Sequence, residues 1–356
     1  MDNNFQSSPS SNNKKEVKQL GPGKKLPQWW VIAIIVVLIG ALAYGVFGYW
    51  KPFQSSPQEI LEKGFQKMAN YKSYQSNLEG NIKLGLSEEQ AENFPTNSIE
   101  ASINAEIKEI PTDKKSEVSL STEVKLANLP VTVAGVIRSI DKDIYVRADN
   151  LSLLEMFLPN TNLTGQWIKV PMDQLSSTST KPSSIMAKAE EYKSQMMKTI
   201  NQNPPFQVKK TLSSESIMET DCHHYLVGVN MDNMKKVVLE AINFITEETE
   251  ATAPTAEGMQ NFKDQWDKFA ANNTDLTIEV WISKKGNNIR QITFGEKDKL
   301  ASINLGEQNL NLFINQDFYK INEDLEIEAP SDYQTPQQLL QGTSDFSNMK
   351  EGLLQF

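Results

Sequence analysis

Residues 98–110 read SIEASINAEIKEI, and apolar and polar side chains alternate along them almost without a break. The same period of two continues through 117–126 (EVSLSTEVKL), 131–137 (VTVAGVI) and 143–148 (DIYVRA). Because neighbouring side chains of a strand point to opposite faces, each stretch has one apolar and one polar face. On the first two stretches, the side chains that share one face are Ile99, Ala101, Ile103, Ala105, Ile107, Val118, Leu120, Thr122, Val124 and Leu126. This pattern predicts antiparallel strands that bury one face and expose the other.

Helical spacing replaces this alternation at both sides of the strand region. A short helix is predicted just after residue 56. Ser56 can act as N-cap, Pro57 suits the first turn, and Glu59 completes a capping box with Ser56. Three later stretches repeat apolar residues every three or four positions and predict helices: 183–203, 232–248 with Asp232 as N-cap, and 255–271. Alternating stretches return at 276–283, 289–295, 300–306 and 310–316. This order predicts an α+β fold with one large antiparallel sheet and helices gathered on one face.

The segment WWVIAIIVVLIGALAYGVFGYW, residues 29–50, is 22 residues long and carries no charge. As a helix it would span about 33 Å at about 1.5 Å per residue, against a hydrocarbon core of about 30 Å. Trp and Tyr stand at its ends, five lysines precede it, and only Lys51 follows closely. This pattern predicts a single N-terminal transmembrane helix in the cell membrane, with a cytoplasmic N-terminus and an extracytoplasmic C-terminal domain.

A cleaved signal peptide is the alternative interpretation of that segment, since ALA at 41–43 resembles a small-residue cleavage site near Ala43. The apolar run continues to Trp50 behind a long charged leader, which favours an uncleaved anchor. Both interpretations place the body outside the cytoplasm. The expected organisation is a disordered cytoplasmic tail (1–28), the transmembrane helix (29–50), a linker (51–56), an extracytoplasmic domain (57–333) and a C-terminal tail or short helix (334–356).

Composition and charge exclude several classes of function. The chain of 356 residues is 39% hydrophobic and 22% charged, as in ordinary folded proteins. Its net charge is −10, and because the tail before Trp29 carries five lysines against two acids, the remainder carries −13. Such an acidic body argues against a nucleic-acid partner. The sequence contains no P-loop, no G-x-G-x-x-G, no G-x-S-x-G and no H-E-x-x-H, so it predicts no cofactor.

The stretch DCHHYLVGV, residues 221–229, contains the only cysteine and the only two histidines of the chain. One cysteine allows no internal disulfide. On a strand, His223 and His224 point to opposite faces, and Cys222 shares the face of His224 only at a spacing of about 7 Å. A metal would need acidic residues to complete its ligands. The stretch is therefore interpreted as an ordinary strand and no metal site is predicted, although a Cys-His nucleophilic pair is geometrically conceivable.

Methionine and aromatic residues concentrate on the three helices predicted in the middle of the chain. One interpretation is ordinary core packing. The other is that these helices lie over the concave face of a curved sheet, where thioethers and aromatic rings line an apolar cavity for acyl chains. Small residues on the apolar strand faces, Ala101, Ala105 and Gly135, would leave room there. The candidate cavity residues are Met186, Met196, Met197, Val237, Ile242, Met259, Phe262, Trp266 and Phe269.

Five stretches of the chain resemble the LolA/LolB superfamily, and in particular the lipid-carrier proteins of the LppX/LprG type. They are ILEKGFQKMANYKSYQSNLEGNI (60–82), GQWIKVPMDQL (165–175), DCHHYLVGVNMDNMKKVV (221–238), LTIEVWISKKGNNIRQITF (276–294) and DLEIEAPSDY (324–333). The resemblance implies a curved antiparallel β half-barrel with helices plugging its concave face and an apolar pocket for lipid or lipoprotein acyl chains. It places Trp167 and Trp281 on strands. A transmembrane helix here takes the place of the family's signal peptide or lipid-modified cysteine.

Three classes of function follow from these observations. The first is a non-catalytic, membrane-anchored domain that binds lipid or lipoprotein acyl chains as a carrier, presenter or sensor. The second is a structural or interaction module of the cell envelope, with a filled core, no ligand and a protein partner. The third is a hydrolase or metalloprotein that uses Cys222, His224 and an acidic residue. We expect the first class and no enzymatic activity.

Overall fold

The computed structural model of the chain describes residues 56–86, 96–126, 129–151, 164–171, 189–248, 256–305, 308–336 and 338. All of them belong to one compact unit. The predicted tail, transmembrane helix and cleavage site near Ala43, almost all of the predicted linker, and Met186 lie outside these ranges. Within the ranges, no helix combines the length and the apolar character that crossing a membrane requires.

Four α-helices and thirteen strands make up this described part of the chain. The helices are α1 (Pro57–Met68), α2 (Ala189–Gln202), α3 (Met231–Glu248) and α4 (Ala256–Asn272). The first six strands are β1 (Tyr74–Gly85), β2 (Ser98–Ile110), β3 (Lys115–Leu126), β4 (Leu129–Ile140), β5 (Asp143–Leu151) and β6 (Trp167–Pro171). The others are β7 (Phe206–Thr211), β8 (Glu215–Ile217), β9 (Thr220–Val229), β10 (Thr277–Ser283), β11 (Ile289–Phe294), β12 (Ala301–Asn304) and β13 (Asn309–Tyr319).

All thirteen strands form one antiparallel sheet, as the alternation predicted. Its order is β6-β5-β4-β3-β2-β1-β13-β11-β10-β9-β7, with β12 on β13 and β8 on β9. Strands β1–β6 are a meander of consecutive neighbours, and the later strands form the other half. The two halves meet where β1 pairs with β13 over ten residue pairs, from Gln75–Tyr319 to Leu84–Leu310. One continuous sheet therefore unites the beginning and the end of the described chain.

Helix α1 begins with the predicted capping box. The Glu59 amide donates to the Ser56 hydroxyl at 3.2 Å, and the Ser56 amide donates to the Glu59 carboxylate at 3.0 Å. The helix buries Leu61, Phe65 and Met68 and packs against β7, β10 and β11. Gly64 allows this close approach, because a Cβ there would lie 3.0 Å from a methyl carbon of Ile282. Helix α1 thus covers the apolar face of the later half of the sheet.

The side chain of Gln58 on α1 also protects the free edge of the sheet at β7. Its amide oxygen accepts the Val208 N–H at 2.9 Å, and its amide nitrogen donates to the Phe206 carbonyl at 3.3 Å. A primary amide can satisfy one donor and one acceptor of an edge strand in this way. Lys209 and Lys210 follow on the same strand, and charged residues discourage pairing of edge strands between molecules. The β7 edge is therefore capped within the chain.

Helix α3 begins at a different cap from the one predicted. The side chain of Asn230 accepts the Asn233 amide at 3.0 Å, so Asn230 is the N-cap and Asp232 lies in the first turn. Asn occupies N-caps as readily as Asp, and the end of β9 at Val229 brings Asn230 into position first. An ion pair of 2.6 Å between Lys235 and Asp267 joins α3 to α4.

Strand β4 bends beside β5 at Gly135. The register between the two strands shifts between Ala134 and Gly135, as at a β-bulge. A Cβ on Gly135 would lie 2.5 Å from the Arg147 carbonyl oxygen, closer than real contacts allow. Glycine is therefore required by the approach of the β5 backbone.

We expect Gly135→Ala to destabilise the protein by about 1–3 kcal/mol, because the added methyl group forces the two backbones apart. Gly80→Ala is the matched control: its Cβ would meet its nearest atom, the Phe313 carbonyl oxygen, at an ordinary 3.6 Å. Urea unfolding of both variants measures the difference. Equal midpoints for the two variants would show that the bulge tolerates a side chain.

Candidate functional site

The register of β1–β6 places one row of apolar side chains after another on the same face. Leu120 on β3 lies opposite Ala105 on β2 and Gly135 on β4. Gly135 in turn lies opposite Ala148, and the neighbouring β5 residue Val146 lies opposite Ile168 on β6. We call this surface the open apolar face; it consists of Leu78, Gly80, Ile82, Ala101, Ile103, Ala105, Ile107, Val118, Leu120, Thr122, Val124, Val131, Val133, Gly135, Ile137, Ile144, Val146, Ala148, Ile168 and Val170.

The chemistry of the open apolar face is uniform. Two of its twenty residues are glycines, and none of the eighteen side chains is charged or aromatic; the hydroxyl of Thr122 is their one polar group. Ser139, which lies opposite Ile144 on the same face, borders this set. Leu120, Val133 and Ile137 remain 36%, 43% and 46% exposed. They are three of the five large apolar residues that are exposed in the described part of the chain. A concentration of this kind on one side of a sheet indicates a binding surface.

The same face continues beyond β1 into the later half of the sheet, where it is buried. Ile82 lies opposite Leu312 on β13, and the face then passes through Ile292 and Val280. Leu312, Ile292 and Val280 are buried, and α1 packs on this half of the sheet. The open apolar face is thus the exposed continuation of the protein's own hydrophobic core.

The opposite face of β1–β5 is polar and contains a groove of about 630 Å³. Asparagine, serine and carboxylate side chains provide most of its lining, together with the Arg147–Asp149 ion pair at 2.7 Å. These groups can form hydrogen bonds with water or a polar ligand and offer little to an acyl chain. The groove therefore lacks the apolar lining expected of an acyl-chain cavity.

The candidate cavity residues occupy two kinds of environment. Val237, Phe262, Trp266 and Phe269 are buried, whereas Met196, Met197, Ile242 and Met259 are partly exposed. On α4 the Trp266 ring lies 5.9 Å from the Phe262 ring and 5.7 Å from the Phe269 ring. Its indole N–H donates to the Met231 carbonyl of α3 at 3.2 Å. The aromatic members therefore help to hold α3 and α4 together.

The structure confirms that β9 separates the two histidines. His224 pairs with Trp281 and His223 with Ile282, on opposite faces of the sheet. The His224 ring stacks on Trp281 at 4.1 Å between centroids, and its Nε2 lies 2.7 Å from the Glu279 carboxylate. The Trp281 indole N–H donates to Glu215 at 3.0 Å, which ties β8 to this stack. Trp281 and Trp167 both lie on strands, as expected.

Cys222 has the surroundings of an inert thiol. It is completely buried, and its Sγ lies 3.2 Å from the Thr220 carbonyl oxygen, which accepts the S–H. Burial raises the pKa of this thiol, which disfavours the reactive thiolate. No group of three or more His, Cys, Asp or Glu residues in the described ranges has the geometry to hold a metal ion.

We expect Cys222 to resist alkylation in the folded protein at pH 8 and to react fully in denaturant. The pKa of the Cys222 thiol is higher in the folded than in the unfolded protein. The resulting contribution of the protonated thiol to the free energy of unfolding is therefore complete below the unfolded-state pKa of about 8.5, and it is lost as the pH rises through the folded-state pKa. Iodoacetamide labelling followed by intact mass spectrometry measures both states. Rapid labelling of the native protein would contradict the inert assignment.

The chain is similar to several solved structures. No family model and no curated protein matches the chain. Among solved structures, it is similar to the lipoprotein LppX of Mycobacterium tuberculosis, with 7% identity, a TM-score of 0.31 and coverage of 76% of this chain and 96% of LppX. LprF from Mycobacterium bovis shows 12% identity, a TM-score of 0.34 and coverage of 78% and 99%. A LolA superfamily protein from Nitrosomonas europaea shows 14% identity, a TM-score of 0.19 and coverage of 77% and 96%.

The structure from Nitrosomonas europaea is described as that of a LolA superfamily protein, the superfamily that five stretches of this sequence resemble. Identities of 14% and below and TM-scores of 0.34 and below are too low to carry a role from one protein to another.

Proposed function

We propose that this protein is a membrane-anchored, extracytoplasmic, non-catalytic binding protein for acyl chains of lipids or lipoproteins. The open apolar face is the observation that carries the proposal. It is the exposed continuation of the hydrophobic core over six strands, and its interior carries no charge. Burial of apolar surface contributes about 25 cal/mol per Å², so covering such a face is strongly favourable.

The composition of the open apolar face favours an acyl chain over a protein partner. Protein interfaces concentrate their binding energy in Trp, Tyr and Arg side chains, supported by hydrogen bonds. The open apolar face has none of these residues and a single hydroxyl, on Thr122. Polar groups of a ligand that covers this face would find almost no hydrogen-bond partners there. A saturated hydrocarbon has no such groups, whereas a peptide backbone does.

The segment 29–50 supplies the membrane part of the proposal. Its length and apolar character suit a single transmembrane helix, and α1 begins only a few residues later at Pro57. A domain on so short a linker stays within reach of its own membrane. Receiving, presenting or sensing acyl chains at that membrane surface is therefore the proposed role, and long-range transport is not.

Helices α2–α4 are proposed to border the acyl-chain site with their partly exposed side chains. Met196, Met197, Ile242 and Met259 have the flexibility and apolar character to adapt to irregular chains. The buried Trp266 cluster supports the positions of these helices. We propose no catalytic role for Cys222 or His224, because the thiol is buried and the imidazole is held in the Trp281 stack.

Leu120 and Ser121 provide a matched test, since these neighbours on β3 point to opposite faces and both are exposed. We expect Leu120→Asp to weaken binding of a fluorescent fatty acid by about tenfold or more, because it loses about 1.5–3 kcal/mol of apolar contact and places a charge against the chain. Ser121→Asp adds the same charge to the polar face and should leave binding unchanged. Fluorescence titration of the purified full chain measures both.

A photo-reactive amino acid at Val133 of the full chain, expressed in a bacterial membrane, identifies the natural occupant. Mass spectrometry of the irradiated protein should show lipid adducts at Val133 and none when the same group stands at Thr132. Protein adducts at Val133, combined with unchanged fatty-acid affinity in Leu120→Asp, would overturn the proposal. They would support the alternative of an envelope interaction module with no ligand.

A further inference from the structure

The groove on the polar face of the sheet lies on the side opposite the open apolar face and has a volume of about 630 Å³. Its lining comes from six neighbouring strands, β13, β1, β2, β3, β4 and β5. Small-molecule sites have volumes of about 300–1,000 Å³. The groove is therefore large enough for a ligand of its own, separate from the acyl chain proposed for the other face.

Strand pairing aligns the residues that line this groove into rows that cross the strands. One row passes through all six strands in the order Asp317, Asn77, Glu106, Ser119, Val136 and Arg147. The neighbouring row on the same face contains Asn315, Glu79, Asn104, Ser121 and Ala134. All of these residues line the groove. The groove therefore runs across the strands and not along them.

The middle of the groove carries short, neutral side chains. Ser119 and Ser121 on β3 lie opposite Val136 and Ala134 on β4, and Asn104 on β2 lies opposite Ser121. In the described part of the chain, the side chains of Asn104, Ser119 and Ser121 form no hydrogen bond with other residues. An amide and a hydroxyl group can each donate and accept. This region thus offers uncommitted donors and acceptors beside two apolar side chains.

The charged side chains at the two ends of the groove are mostly paired within the protein. The Arg147 guanidinium group donates to both carboxylate oxygens of Asp149, at 2.7 and 3.1 Å. Lys297 forms an ion pair with Glu79 at 2.6 Å, and Glu106 accepts from the Gln75 amide. Within the described ranges, the carboxylates of the groove do not form a metal site. A highly charged ligand is therefore not needed to neutralise the groove.

Asp317 and Asn77 bring a spare acceptor and a spare donor to one end of the groove. Asn315 donates to one carboxylate oxygen of Asp317 at 3.1 Å, and the other oxygen accepts no hydrogen bond from the described residues. Burial raises the pKa of the Asp317 carboxyl above its ordinary value, and the bond from Asn315 offsets this shift only in part. The Asn77 oxygen accepts from the Tyr319 hydroxyl at 3.0 Å, which leaves its amide N–H groups free to donate.

A ligand that matches this lining is neutral and carries many hydroxyl groups. Each hydroxyl can accept from an amide and donate to a carboxylate or a serine, and the C–H face of a sugar ring can contact Ala134 and Val136. Neighbouring strands lie about 4.8 Å apart, close to the length that one sugar unit adds to an extended oligosaccharide. An extended peptide relies instead on pockets for its side chains, and a floor of serine, alanine and valine provides none.

We propose that this groove binds a neutral oligosaccharide laid across the strands. Asn104, Ser119 and Ser121 contact the middle of the sugar chain, and Asn77 and Asp317 contact one end. The proposal does not depend on acyl-chain binding, because the groove and the open apolar face lie on opposite faces of the sheet.

The test is saturation-transfer difference NMR on the full chain in a polyoxyethylene detergent, because a sugar-based detergent would compete for the groove. The probes are maltotriose, cellotriose and triacetylchitotriose at millimolar concentration, with trigalacturonic acid as a charged trisaccharide of similar size. We expect transfer to at least one neutral probe. We expect none to trigalacturonic acid at neutral pH, because the carboxylates of the groove repel those of the probe.

Asn104→Leu should weaken the affinity for the responding trisaccharide by about tenfold, because a side chain of similar size without a donor or acceptor replaces the amide. Ser121→Leu should weaken it as well by filling the floor. Both positions are exposed, so the melting temperature should stay unchanged. Asn81→Leu is the matched control, since Asn81 lies on the same face of β1 but outside the groove, and it should leave the affinity unchanged.

Transfer to a neutral trisaccharide that falls in Asn104→Leu and not in Asn81→Leu supports the site. Absence of transfer to every neutral probe, equal transfer to trigalacturonic acid, or an equal loss in Asn81→Leu would overturn it. Transfer to pentaalanine but to no trisaccharide would overturn it as well and would reassign the groove to a peptide.

Discussion

The pairing of β1 with β13 is the constraint on which the rest of the structure depends. Ten consecutive residue pairs join a meander from the beginning of the folded region to a strand from its end. Without this seam, β1–β6 would be a meander with an apolar face and no connection to the core. With it, the apolar rows of both halves form one surface, whose later half packs under α1 and whose earlier half remains open.

This division lets one sheet provide both a stable core and the surface that is proposed to bind acyl chains. In the later half, β-branched and aromatic side chains on the sheet meet the apolar stripe of α1, with the Phe65 and Phe206 rings stacked at 5.4 Å. The polar face there is also consolidated, by the His224–Trp281 stack and its carboxylate partners. The earlier half has smaller residues such as Ala101, Ala105 and Gly135, and its apolar face is proposed to be completed by acyl chains.

Much of the architecture could be predicted because it depends on local periodicity. Alternation identified the strands, and the opposite orientations of His223 and His224 followed from strand geometry alone. The capping box at Ser56 and Glu59 formed as expected because both partners lie within four residues. The predicted N-cap of α3, Asp232, was wrong by two residues. Asn230 and Asp232 are both good caps, and the end of β9 decides between them.

The sequence by itself determined which residues share a strand face and that this face is apolar, because the period of two is a property of the backbone. It also determined the chemical character of the helices and of the segment 29–50. Only the tertiary structure decided which part of the apolar face remains exposed, since that depends on the β1–β13 seam and on where α1 packs.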